Sequence, residues 1–255
     1  MNTLGIHAET KTRPETCEKH GEFESRCFIG DVWSRCPACN KEQDEREQAA
    51  AEEKVRIERL LAWQRRIGNS GIPERFHDRS LENYEAKTAE QQRVLTFCQR
   101  FANDFDVVMR TGQSAIFLGR PGTGKTHLAA AIGLHVMREK NRTVLFTTVQ
   151  RAIRRVKDSW NRDNAETESQ AIATLVSPDL LILDEVGVQF GSDFERNVLF
   201  DVLNERYEKR RPYILLSNLN MESLTGFLGE RVIDRIREDS GKLIPFGWES
   251  HRRGL

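Results

Sequence analysis

Hydrophobic patterning separates a polar N-terminal stretch from a longer part in which apolar runs alternate with amphipathic segments. Short runs rich in aliphatic and β-branched residues stand at Ala115–Leu118, Thr143–Thr148, Leu180–Leu183 and Tyr213–Leu216. Runs of this length suit strands covered on both faces of a parallel sheet. Between them the spacing becomes helical, in His127–Lys140, which Asn141 ends, and in Val149, Ile153, Val156 and Trp160. Strands alternating with helices from Ser114 to Asn218 predict an α/β, doubly wound parallel sheet.

Upstream, Lys41–Ile67 is highly charged, with Ile57, Leu60, Leu61 and Ile67 on one helical stripe. The stripe predicts a solvated linker helix with one packed face or a partner-binding helix. Gly68-Asn69-Ser70-Gly71 breaks the pattern. The predicted organisation is a small module at 1–40, a charged helical linker at 41–69 and a main domain at 70–255. A chain of 255 residues can bury one good core and carry such an appendage.

Composition narrows the function classes. Lys plus Arg (39) equals Asp plus Glu (39), so any nucleic-acid contact must come from local patches. No stretch approaches a membrane span and the polar start lacks the apolar core of a signal peptide, which predicts a cytoplasmic protein without a membrane partner.

The run at Ala115–Leu118 leads directly into Gly119-Arg-Pro-Gly-Thr-Gly-Lys-Thr126, the pattern of a phosphate loop. Gly119, Gly122 and Gly124 permit backbone angles that turn successive N–H groups inward on an anion. The helix beginning near Lys125 adds its free N-terminal donors and the positive end of its dipole. Lys125 can reach the β- and γ-phosphates of ATP, and Thr126 can ligate Mg²⁺. Pro121, Thr123 and His127 complete the predicted nucleotide-binding segment.

Two later strand ends supply hydrolytic chemistry. Leu180–Leu183 ends in Asp184 and Glu185, a Walker B pattern. Asp184 is the expected Mg²⁺ holder and Glu185 the expected base for the attacking water. Tyr213–Asn218 ends in a neutral amide, and Asn218 can hydrogen-bond the γ-phosphate or that water.

Four of five cysteines crowd the N-terminus. Cys17-Glu-Lys-His20 and Cys36-Pro-Ala-Cys39 are two knuckles with ligands spaced to converge on one tetrahedral ion, and their soft donor set selects Zn²⁺ over Mg²⁺ or Ca²⁺. Cys27 lies between them and is an alternative to His20; two symmetric knuckles favour His20.

The helical pattern after Thr148 interleaves Arg151, Arg154, Arg155 and Lys157 with its apolar face and ends near Trp160. Such a helix can neutralise phosphates and stack a base, or simply solvate one wet face.

Together with the Walker motifs, Ile72-Pro73, Ser80-Leu-Glu-Asn-Tyr84, Asp184–Gln189, Ser217-Asn-Leu-Asn220 and Leu228–Arg235 resemble the DnaC/IstB-like AAA+ ATPases over residues 70–255, most of all the DnaC-type helicase loaders. The resemblance implies a P-loop AAA+ fold, here without a separate C-terminal lid, and ATP hydrolysis to ADP and phosphate. It implies an ATP-dependent spiral or hexamer that delivers a replicative DnaB-type helicase to single-stranded DNA. Arg235 matches an arginine finger acting on a neighbour's ATP and Arg231 its companion, four residues apart on one helix face. Arg252 aligns with the second sensor. Lys157 and Trp160 match basic and aromatic DNA-contacting positions, and Ser192 and Phe194 a second DNA-contacting loop. The cysteine knuckles depart from DnaC and resemble the helicase-gripping zinc module of DnaI, a combination similar to phage or prophage loaders. An IstB-like ATPase regulating transposition on double-stranded DNA is the alternative.

Overall fold

The computed structural model describes residues 11–28, 31–161, 165–188, 192–238 and 241–250. Contacts divide the chain into two compact units, residues 1–64 and 65–255.

The first unit opens with a hairpin in which β1 (Thr12–Cys17) and β2 (Gly21–Arg26) pair antiparallel, Cys17 opposite Gly21. Gly21 takes φ +80°, which lets the chain reverse in so few residues. These strands carry polar residues on both faces and offer no apolar alternation, so hydrophobic patterning does not find them. Helix α1 (Pro37–Ser70) starts with proline at its first position, where no backbone N–H is needed, and takes Cys39 into its first turn.

Helix α1 passes through Gly68 without interruption, a tolerated cost of about 1 kcal/mol relative to alanine. Its end is set by Ser70, whose hydroxyl donates to Ile67 O at 2.7 Å, and by Gly71 at φ +69°. A Cβ on Gly71 would stand 2.3 Å from the carbonyl oxygen of Phe146, so no other residue fits there. The stripe on α1 behaves unevenly: Ile67 is buried, whereas Ile57, Leu60 and Leu61 stay about half exposed, at 46%, 52% and 51%.

The second unit runs α2 (Ala89–Asn103), α3 (Phe105–Thr111), β3 (Ala115–Gly119), α4 (Lys125–Glu139), β4 (Val144–Thr148), α5 (Val149–Asp158), α6 (Glu168–Val176), β5 (Leu180–Val186), α7 (Asp193–Glu208), β6 (Tyr213–Ser217), α8 (Met221–Leu228), α9 (Glu230–Glu238) and β7 (Lys242–Phe246). The sheet is five-stranded and parallel throughout, in the order β4-β5-β6-β3-β7. The four strands anticipated from apolar runs are all present. The fifth, β7, escaped because Lys242-Leu-Ile-Pro-Phe246 carries a proline, which only an edge strand tolerates.

Arg206 is fully buried on α7 and fixes where two site-bearing strands begin. Its Nη1 donates to the carbonyls of Leu175, Val176 and Pro178, and its Nη2 to those of Asp179 and Pro212. One guanidinium thus ties the end of α6 to the entrances of β5 and β6. Among the described residues no helix is long and apolar enough to cross a membrane.

Candidate functional site: a phosphate loop beside two polar strand ends

The parallel sheet brings the C-terminal ends of β3, β5 and β6 together, where loops leave toward a common crevice. A cavity of about 300 Å³ there is lined by Phe76, Pro121, Gly122, Gly124, Lys125, Thr126, His127, Asp184, Glu185 and Asn218. Thus Lys125, Thr126, Asp184, Glu185 and Asn218, read from three separate segments, meet around one cavity.

The loop folds as its glycines allow. Gly122 and Gly124 have φ +82° and +97°, and Gly124 precedes the first residue of α4. A Cβ on Gly119 would lie 2.3 Å from Phe246 O, so β7 packs as closely as it does only against a glycine. Thr123 is fully buried and its hydroxyl donates to Arg120 O at 2.8 Å, bracing the loop internally.

Lys125 Nζ donates to Gly119 O (2.6 Å), Arg120 O (2.9 Å) and Asn218 Oδ1 (2.8 Å). Burial lowers its pKa to about 8, and the nearby Asp184 carboxylate opposes that shift. Thr126 Oγ1 donates to Asp184 Oδ2 at 3.1 Å, so the two expected Mg²⁺ holders already touch. Burial raises the Asp184 pKa, against donation from the Glu185 N–H and the Thr126 hydroxyl and the charge of Lys125. This hydroxyl and carboxylate pair, opening on a phosphate-binding loop, is a donor set that fits a hard, oxygen-seeking cation.

Glu185 has φ +61°, in the left-handed region that a side chain at this position resists by about 1–2 kcal/mol. The register between β5 and β6 shifts between Leu183 and Val186, placing Asp184 and Glu185 in the irregularity. The bulge re-aims both carboxylates at the strand's end. His127 lines the cavity and meets the edge of Tyr84 at 5.3 Å between ring centroids.

Sequence patterning passed over two aromatic neighbours of the loop. Phe76, in a 3₁₀ turn spanning Glu74–Phe76, lines the cavity. The Trp248 indole N–H donates to Thr123 O at 2.9 Å, anchoring the loop from beyond β7. Neither belongs to a local motif, since each reaches the loop through tertiary packing.

Arg231 is exposed on α9 and Arg235 is half-buried one turn on. The Arg235 guanidinium lies 5.1 Å from the Tyr207 ring centroid and 5.8 Å from that of Phe200. Arg252 lies outside the described residues.

Three of the expected DNA-contacting residues come together elsewhere. Trp160 meets Phe194 edge-on at 4.8 Å, and Lys157 Nζ stands 5.5 Å from the same Phe194 ring. Trp160 remains 55% exposed, with its indole N–H donating to Glu168 Oε2 at 2.7 Å. Ser192 caps α7, its hydroxyl accepting from Glu195 N. Arg154 lies apart from this cluster, lining a separate hollow with Arg151 and Arg155.

In the first unit, one ligand atom each from Cys17, His20, Cys36 and Cys39 lies within 4.8 Å of the others. His20 Nδ1 is 3.3 Å from Cys39 Sγ and 3.7 Å from those of Cys17 and Cys36. Tetrahedral zinc bonds of about 2.3 Å to sulfur and 2.0 Å to nitrogen require ligand separations of about 3.5–3.8 Å. The donor set and its spacing fit zinc, with His20 rather than Cys27 in the group. Backbone N–H groups of Lys19 and His20 pull the Cys17 pKa down to about 6, favouring the thiolate that a metal needs. Glu42 pairs with His20 Nε2 at 3.0 Å, a carboxylate that fixes Nδ1 as the ring's inward face. It sits one turn beyond Cys39 on α1, a spacing that only becomes visible once that helix is known.

The IstB-like ATP binding protein family model matches residues 45–253. The replicative helicase loader DnaC of Escherichia coli K12 is 36% identical over 215 residues, 84% of each chain. The crystal structure of the DnaC helicase loader superposes with a TM-score of 0.61 and 25% identity, covering 68% of this chain and 99% of that one. The crystal structure of DnaI shares the fold, at TM-score 0.57 and 21% identity over 71% of this chain and 94% of the other. With the phosphate loop, the Asp184-Glu185 strand end and a parallel five-stranded sheet on the same chain, the protein belongs to the DnaC/IstB-like family of AAA+ ATP-binding proteins.

Proposed function

We propose that this chain is an ATP-hydrolysing loader of a replicative DnaB-type helicase, acting in the cytoplasm during replication initiation. The reading rests on one observation: Lys125, Thr126, Asp184, Glu185 and Asn218 line a single cavity in a chain 36% identical to a DnaC loader over 84% of both lengths. Lys125 and the loop N–H groups bind the triphosphate, Thr126 and Asp184 hold Mg²⁺, which supplies charge neutralisation at the phosphates, and Glu185 orients and deprotonates water. Arg235, assisted by Arg231, completes the site of an adjacent subunit in an ATP-dependent spiral or hexamer. Arg252 serves as a second sensor.

Lys157, Trp160 and Phe194 form the core of the single-strand contact, to which Ser192 and, from its separate hollow, Arg154 contribute. An exposed indole beside a lysine offers base stacking and phosphate neutralisation in one place. Residues 1–40 hold Zn²⁺ through Cys17, His20, Cys36 and Cys39, and with the 41–69 helix they grip the helicase, leaving 70–255 as the motor.

Mixing the full chain with a replicative helicase and measuring complex mass tests this. A complex that forms and then dissolves on ATP hydrolysis in the presence of single strands is expected. Failure to bind any replicative helicase, with preference for duplex over single-stranded DNA, would instead support the transposition-regulator reading.

A further inference from the structure

The acidic neighbours of Arg235 are committed elsewhere. Asp234 pairs with Arg237 at 3.3 Å, and Glu238 accepts the Tyr207 hydroxyl at 2.8 Å. Among the described residues no carboxylate lies within ion-pair distance of Arg235, and its buried Nη1 has no hydrogen-bond partner. A guanidinium that only stabilised α9 would pair with the acids on its own helix. Instead it rests on the faces of Phe200 and Tyr207, two side chains of α7 spaced seven residues apart. That spacing is two helical turns, so both rings project from one side of α7.

We infer that Phe200 and Tyr207 are positioning residues that hold Arg235 ready to act on the neighbouring subunit's triphosphate. The inference rests on the proposed action of Arg235 in trans. Aromatic faces attract the cation without the bidentate hydrogen bonds of a carboxylate, which would satisfy the guanidinium within its own chain. Among the described residues no carboxylate claims the half-buried guanidinium, which leaves it available to a phosphate oxygen from outside the chain. The Tyr207 hydroxyl also donates to Glu238, an exposed hydrogen bond that is only a modest second tie between α7 and α9. Phe200 also packs against the core, so its ring cannot drift with Arg235.

The test uses the full chain assembled with ATP and single-stranded DNA. The double substitution Phe200→Leu with Tyr207→Leu keeps both positions apolar and removes both π faces. It should lower kcat about tenfold while leaving KM for ATP and ATP affinity of the isolated subunit within about twofold. Tyr207→Phe, which keeps the ring, should retain nearly full turnover. The discriminating measurement mixes the double variant with excess Lys125→Ala chain, which has a disabled phosphate loop but a native Arg235 on native rings. Turnover by the double variant should recover in the mixture, because the arginine now arrives on an intact platform from the other chain. Wild-type turnover in the double variant alone, or a deficit that the mixture does not repair, would overturn the inference. Arg235→Ala in the same assays separates the two levels. Undiminished turnover there removes the trans-acting reading itself, whereas a loss repaired by Lys125→Ala chains beside a fully active platform variant removes only the role of the rings.

Discussion

Lys125 offers a direct reading of how the phosphate loop exchanges partners. In the chain alone its ammonium faces two loop carbonyls and the Asn218 amide, and burial sets its pKa to about 8. A triphosphate beside it favours the charged form, so the bound state holds the proton more tightly than the free chain does. Affinity for ATP is therefore full below pH 8 and falls as pH rises through 8. With a free pKa near 8, about nine-tenths of the chains carry the proton at pH 7 and about one-tenth at pH 9, a change worth about tenfold in affinity. At pH 8 binding should take up about half a proton. Titration calorimetry in buffers of different ionisation enthalpy measures that uptake, and a Kd profile from pH 7 to 9.5 measures the slope. Lys125→Met should bind more weakly and lose the slope. A wild-type affinity that is flat across this window, or proton release on binding, would refute the reasoning.

Other consequences can be checked separately. Arg206→Leu removes the guanidinium donor shared by five buried or part-buried carbonyls and should cost about 3–5 kcal/mol, lowering Tm by about 10 °C in thermal unfolding; an unshifted melt would deny Arg206 its role at the entrances of β5 and β6. Glu185→Gln should slow ATP turnover at least about 100-fold with ATP still bound, and Glu185→Gly should stabilise the fold by about 1 kcal/mol while removing turnover, because glycine accepts φ +61° without strain. Glu42→Gln should weaken zinc about 10–100-fold in a chelator competition, and Cys36→Ser should lower bound metal outright; unchanged metal content would dismiss the ligand set.

What could be read from the sequence follows the range of the interactions. Buried parallel strands need uninterrupted apolar runs, so β3, β4, β5 and β6 announced themselves, and the phosphate loop and Asp184-Glu185 are local in chain and space alike. The hairpin β1–β2 is polar, and its strands therefore offer no hydrophobic alternation from which to find them; a module built around the Cys17, His20, Cys36 and Cys39 cluster would need little apolar burial. The stripe on α1 illustrates the converse limit: periodicity identifies a helix face, yet what covers Ile57, Leu60 and Leu61 is decided by tertiary contacts that no spacing encodes. Phe76, Trp248, Phe200 and Tyr207 were silent for the same reason. Each meets its functional neighbour from a different element, so only the folded chain brings it to the site.

Lys125 and Thr126, the two side chains of the phosphate loop expected to meet the nucleotide, both possess internal partners. Lys125 has loop carbonyls and Asn218, and Thr126 has Asp184. Binding of ATP as proposed would therefore replace one set of hydrogen bonds by another, with a net gain far smaller than the sum of new contacts. The same arrangement has a consequence for signalling. Asn218 Oδ1 accepts from Lys125 Nζ, so displacement of the ammonium onto phosphate would free that amide oxygen just beyond β6. That amide can then follow the γ-phosphate or its attacking water. The two side chains thus respond to the nucleotide as a coupled pair, and Asn218→Ala should raise ATP affinity or leave it unchanged while lowering turnover. A double-mutant cycle with Lys125→Met should show non-additive effects on binding; strict additivity would mean that the 2.8 Å contact carries no coupling.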